Sequence, residues 1–181
     1  IGMVDRNNDG KLQYVMLEGE AGHQDAVVRT EYSTRTTVEK GYVLERLEDD
    51  IANWNRAQAQ TKMAQWLQTH PDSIEVVYAN NDDMALGAID ALNAAQLDYW
   101  PVIVGIDGTP VGLEAVLRGE MAGTALNDAN GQAKGLLELC YHLATGEPLS
   151  EDITLEGGKY IRYPYRKVTP QNISTYISFY E

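Results

Sequence analysis

Short apolar runs recur along the chain, separated by stretches in which apolar residues return every three or four positions. LQYVMLE (12–18), YVLERL (42–47), IEVVYA (74–79), PVIVGI (101–106) and MAGTAL (121–126) predict strands. GHQDAVVRTEYSTRTTVEKG (22–41), NRAQAQTKMAQWLQTH (55–70), MALGAIDALNAA (84–95) and TPVGLEAVLRG (109–119) predict helices. Gly41 closes the first of these, and Ala59, Met63, Trp66 and Leu67 fall on one face of the second. Strands alternating with helices, with runs apolar on both faces, predict the α/β class: an open parallel sheet with helices on both sides.

Beyond Leu126 the pattern changes. NDANGQAKGLLELCYHLATG (127–146) predicts one more helix, ITLEG and KYIRYPY a hairpin around Gly157 and Gly158, and VTPQNISTYISFYE a capped turn and a short tyrosine-rich helix. A helix and a hairpin cannot bury their own apolar faces, so this tail packs on the main sheet or belongs to something outside the chain. Cys140 lies on an apolar stripe with Leu136, Leu137 and Leu143, which predicts a buried structural thiol.

A length of 181 residues is one domain, or one and a fraction. No apolar run reaches membrane-span length. The net charge of −13 repels phosphate backbones and anionic lipid, so nucleic acid and membrane surfaces make poor partners. The chain starts at Ile1 rather than Met, and is read as a piece whose upstream part, with any signal peptide, lies elsewhere.

In an open parallel sheet, ligands bind beyond the carboxyl ends of the strands. The first strand is followed by His23, Asp25 and Arg29, the second by EDDIANW ending in Trp54, and the third by Asn80, Asn81 and Asp82. The fourth ends in Asp107 and the fifth in Asn127. Taken singly, Asn and Asp at these points are helix caps. Trp54 and Arg29 are not capping residues, whereas Trp66 falls on its helix's apolar period and belongs to the core. An indole beside groups that bond in pairs suits a neutral sugar, with its apolar C–H face and rim of hydroxyls.

Enzyme chemistries fit worse. Glu18, Asp25 and Asp107 offer carboxylates for a glycosidase pair, but Arg29 and the asparagines would hold them ionised. No G-x-S-x-G elbow, phosphate loop, HExxH or CxxC spacing occurs, and His23, His70 and His142 are far apart. The opening DRNNDGKLQ supplies Asp5, Asn7, Asp9, Lys11 and Gln13 around Gly10, like the start of a calcium loop, but Met16 stands where its closing glutamate should be. The loop is either a solvated Asp/Asn turn, or its last ligand comes from elsewhere in the chain.

DRNNDGKLQ, GEAGHQDAVVRT, ANWNRAQAQTKM, IEVVYANNDDMALGAIDAL, GIDGTP and AGTALNDANGQAKG together resemble, in order and spacing, the periplasmic galactose/glucose-binding proteins of ABC transporters. The resemblance covers nearly the whole chain and weakens after Gly146. It implies one lobe of a two-lobed receptor of the type I periplasmic-binding-protein fold, not an enzyme, located in the periplasm or outside the cell. Its partners would be a hexose, an ABC permease and a chemoreceptor. Residues 1–127 would form the C-terminal lobe, 128–163 a crossover helix and hairpin belonging to the other lobe, and 164–181 the return. His23, Asp25, Arg29, Trp54, Asn81, Asp107 and Asn127 match the family's sugar-binding positions. Asp5, Asn7, Asp9, Lys11, Gln13 and the distant Glu75 match its structural calcium ligands. The isolated chain is expected to self-associate through the orphaned 128–163 segment. The runner-up is the sugar-sensing domain of a LacI-type transcription regulator, which shares the fold.

Overall fold

The computed structural model describes residues 4–177. In chain order it contains β1 (Leu12–Glu18), α1 (Gln24–Glu39), β2 (Leu44–Ile51), α2 (Arg56–Thr69), β3 (Val76–Ala79) and α3 (Asp82–Ala95). There follow β4 (Val102–Asp107), α4 (Pro110–Leu117), β5 (Gly123–Leu126), α5 (Ala129–Thr145), β6 (Arg166–Val168) and α6 (Ser174–Ile177). The strands form one sheet in the order β2-β1-β3-β4-β5-β6, parallel except for β6, which runs antiparallel to β5. The order reverses beside β1, the kind of point at which open α/β sheets bind their ligands.

Alternation along the strands sends side chains to two separate cores. Val15 and Leu17 of β1, Val77 and Ala79 of β3 and Ile103 of β4 face α2, α3 and α4, whose Met63, Trp66, Met84, Leu92 and Val116 complete the larger core. Leu12, Tyr14, Met16, Val76 and Tyr78 line the opposite face. There α1 approaches, its Thr37 hydroxyl 2.9 Å from that of Tyr78. Helix starts follow cap chemistry: Asn55, Asn81, Thr109 and Asp128 each accept a first-turn N–H.

Several expectations need correction. The second strand runs from Leu44 to Ile51, through the acidic stretch assigned to a loop, because backbone pairing with β1 continues to Glu18↔Ile51. It is an edge strand, where charge is tolerated and discourages further pairing. Strand β6 went unpredicted, since three residues with an exposed Arg and Lys carry no periodic signal. The hairpin around Gly157 and Gly158 is reduced to a single bridge, Glu156↔Tyr160, because two unsupported strands are marginal without a sheet to lie on. Cys140 is exposed, not buried, together with Leu136, Leu137, Tyr141 and Leu143, because only Gly135 of α5 is covered. The closing helix reaches Ile177, and the rest of its predicted span lies outside the described residues.

Candidate functional site

The loops at the carboxyl ends of the strands converge on Arg29 of α1. Its Nη1 donates to Asp107 Oδ1 at 3.1 Å and to the Asn80 carbonyl at 2.8 Å, and its Nη2 donates to the Tyr165 hydroxyl at 3.0 Å. Asp25, one turn earlier, lies 3.6 Å from Nη2. The guanidinium also sits 5.6 Å from the Trp54 ring centre. Burial alone would lower the Arg29 pKa, but Asp107, the Tyr165 hydroxyl and Asp25 outweigh it and raise it. Its Nε–H is buried with no hydrogen-bond partner among the described residues. A buried donor left unpaired costs about 1 to 3 kcal/mol.

Trp54 stands where consecutive left-handed residues, Asn53 (φ 51°) and Trp54 (φ 62°), end β2 and aim the indole back over the sheet edge. Its six-membered ring lies on Gly19, where any Cβ would overlap it. His23 meets the indole edge-on, ring centres 5.2 Å apart, while its Nδ1 accepts the Asp25 N–H. His23 is thus also the N-cap of α1. Asn81 caps α3 through its amide oxygen and turns its amide nitrogen toward the Trp54 carbonyl at 3.4 Å. Asn127 binds the Asp107 carbonyl through its backbone N–H at 2.9 Å, and its side-chain oxygen accepts from Gln132 at 2.5 Å. Asp128, rather than Asn127, caps α5.

The residues singled out from the sequence are therefore linked into one cluster on one edge of the sheet. Three more residues stayed outside the sequence-derived site set, although Asn80 and Asp82 were noted after the third strand. Tyr165 was assigned to a hairpin, and only the return of the chain toward β6 brings its hydroxyl to Arg29. Asn80, fully buried, accepts the Gly19 N–H at 3.0 Å and lies 3.1 Å from the Thr30 hydroxyl. Asp82 is buried and receives bonds from Thr109 and Thr124. Burial pushes its carboxyl up to about 6 against the pull of those bonds, and burial likewise raises Asp107 against the pull of Arg29.

At the other end of β1 the 5–13 loop folds on itself. Asp5 accepts the Asp9 and Gly10 N–H groups, Asn7 accepts that of Asp9, and Asp9 accepts that of Lys11. Gly10, at φ 82°, makes the reversal. Glu75 reaches in from before β3 to take the Arg6 N–H at 2.5 Å and the Gln13 N–H at 3.2 Å. Asp5, Gln13 and Glu75 are buried, and neither Asp5 nor Glu75 has a cationic side-chain partner among the described residues. Buried carboxylates held only by backbone N–H groups, with amide oxygens nearby, suit a hard cation in their donor chemistry. Among the described residues no three His, Cys, Asp or Glu side chains are grouped to hold a metal, so the Asn7, Gln13 and Lys11 oxygens would have to complete any such shell.

No helix among the described residues is long and apolar enough to cross a membrane. Residues 3–148 match the family described as periplasmic binding protein domain. The D-galactose/methyl-galactoside binding periplasmic protein MglB of Haemophilus influenzae is 39% identical over 176 residues, 96% of this chain and 53% of the relative. A xylitol-binding protein of Mycolicibacterium smegmatis is 36% identical over 150 residues, 83% of this chain and 42% of the relative. The crystal structure of an ABC transporter solute binding protein from Bacillus halodurans with bound myo-inositol superposes with a TM-score of 0.80 at 33% identity, covering 97% of this chain and 57% of that one. The chain thus spans about half the length of the relatives it matches. With most of its residues matched and a relative 39% identical across 96% of its length, the chain belongs to the periplasmic binding protein domain family.

Proposed function

We propose that this chain is the C-terminal lobe, residues 1–127 with the 164–181 return, of a periplasmic receptor that captures galactose or glucose for an ABC permease. The observation that carries it is the Arg29 constellation: a largely buried guanidinium joined to Asp107, Asn80 and Tyr165, with an indole beside it. Trp54 supports one apolar sugar face, and His23, Asp25, Arg29, Asn81, Asp107 and Asn127 bond to the hydroxyls. Relatives named for galactoside and xylitol, and a solved structure holding myo-inositol, share only a neutral polyhydroxylated ligand. The hexose is the finer choice, and it rests on the galactoside relative. Charged groups bonded to hydroxyls contribute about 1.5 to 3 kcal/mol each, enough to separate epimers that leave one group unpaired. The site binds and releases its ligand unchanged. A chemoreceptor is a second partner of the closed receptor.

Residues 128–163 belong to the facing lobe, which agrees with the exposed apolar face of α5. Calcium occupies the 5–13 loop through Asp5, Asn7, Asp9, the Lys11 carbonyl, Gln13 and Glu75, as a structural clamp between the start of β1 and the approach to β3. Equilibrium binding of D-galactose to the full-length receptor and to its Trp54→Ala variant tests the sugar reading. The variant is expected to bind at least roughly tenfold more weakly, on the scale of an aromatic contact made in a desolvated site. Equal affinities would remove Trp54 from the site.

A further inference from the structure

Asp82 opens α3 yet has no solvent exposure, and a buried carboxylate needs a reason to persist. It does not cap its own helix, which is the task of Asn81. Instead its Oδ2 accepts the Thr109 N–H at 2.8 Å and the Thr109 hydroxyl at 3.3 Å, and its Oδ1 accepts the Thr124 hydroxyl at 2.6 Å. Thr124 in turn accepts the Gly108 N–H at 3.3 Å. Room for the carboxylate is made by Gly105 of β4 and Gly112 of α4, where a Cβ would overlap its oxygens.

These bonds reach the turn that follows β4 directly at Thr109 and, by way of Thr124 on β5, at Gly108. That turn holds Asp107 at φ 119° and Gly108 at φ 68° in succession. The Asp107 backbone is in a region that side-chain-bearing residues avoid, at a cost of about 1 to 3 kcal/mol, and persists only where the surroundings over-determine it. The next residue, Thr109, is pinned by Asp82 while capping α4 through Gly112. Asp107 is thereby presented to Arg29.

We propose that Asp82 is a positioning residue for ligand recognition: from beneath the sheet edge it fixes the 107–109 turn, and so sets where the Asp107 carboxylate meets Arg29 and the ligand. The proposal rests on the sugar-binding reading above. Asp82 reaches the ligand only through Asp107, which separates it from a residue that merely packs.

The test is a double-mutant cycle in the full-length receptor, titrated with D-galactose and D-glucose. Asp82→Asn keeps the volume but replaces one accepting oxygen by an amide donor, so that either Thr109 or Thr124 loses its acceptor. It is expected to weaken the tighter-bound sugar by roughly tenfold or more, the effect of misplacing one hydrogen bond to a charged group. On an Asp107→Ala background the same change should cost less than about twofold, because the group it positions is gone. Thr124→Val, which removes one tether and leaves the charge alone, should give a smaller loss with the same non-additivity, and keeps the test alive if Asp82→Asn fails to fold. Asp82→Asn and Thr124→Val affinities within twofold of the parent, or losses that persist unchanged on the Asp107→Ala background, overturn the inference. A folded parent that binds neither sugar overturns the sugar reading and this inference with it, a result distinct from a parent that binds while its variants are unaffected.

Discussion

Three residues set the geometry of the site without offering groups to a ligand: Gly19, Asn80 and Asp82. A methyl group at Gly19 would occupy the space of the Trp54 ring, so Gly19→Ala should shift the indole and weaken sugar binding by roughly tenfold, with a change in tryptophan emission. Unaltered emission and affinity would mean that the ring is not held there. The Asp82 carboxyl, at about 6 in the folded chain against an ordinary 3.8, holds a proton between these values that the unfolded chain has released. Its contribution to stability is therefore greatest below about pH 4 and is lost as pH rises toward 6, by on the order of 2 to 3 kcal/mol. The parent-minus-Asp82→Asn difference in unfolding free energy should fall across that window and level off above pH 7; a flat difference contradicts the burial argument. His23, Asp25, Arg29, Trp54 and Asp107 were legible because strand ends in a parallel sheet converge. Gly19 was not, since a glycine's value lies in what occupies the space beside it, and Tyr165 was not, since it arrives from more than a hundred residues away.

Among elements, those with a periodic apolar face were read well and those held by strand pairing alone were not. Strand β1 and helix α2 fall at or within a residue of their expected limits, because Val15, Leu17, Met63 and Trp66 are committed to a single core. Helix α3 starts at Asp82, ahead of the apolar run, because the Asn81 cap and two acidic residues in the first turn favour an earlier beginning. The edge strands β2 and β6 exist through pairing rather than composition. Truncating Met63, which has no exposure, to Ala should cost about 2 to 5 kcal/mol of stability, measurable by chemical denaturation. The loop before β1 carries its own prediction. Calcium at about 100 to 1,000 times its dissociation constant should stabilise the fold by roughly 3 to 4 kcal/mol, raising Tm reversibly with chelator, and Glu75→Gln should abolish most of that shift. A Tm indifferent to calcium and chelator would leave the loop a hydrogen-bonded turn.

At the scale of the molecule, one apolar helix face is left uncovered. Helix α5 leaves Leu136, Leu137, Tyr141 and Leu143 in solvent, and the chain spans about half of its relatives. An apolar helix face of this kind seeks cover, so the isolated chain should dimerise or assemble further in light scattering, and changing Leu137 and Leu143 to Glu should return it to monomer. A clean monomer at micromolar concentration contradicts that expectation. On the proposed reading a facing lobe supplies the other wall of the cleft, so this chain by itself should grip sugar weakly and the complete receptor tightly. The most direct measurement is a calorimetric titration of D-galactose and D-glucose into the full-length receptor with calcium present. Saturable, tight binding of one or both, with the epimers separated in affinity, is the predicted result; a folded receptor that gives no heat with either would contradict the assignment of Arg29, Trp54 and their neighbours to a hexose.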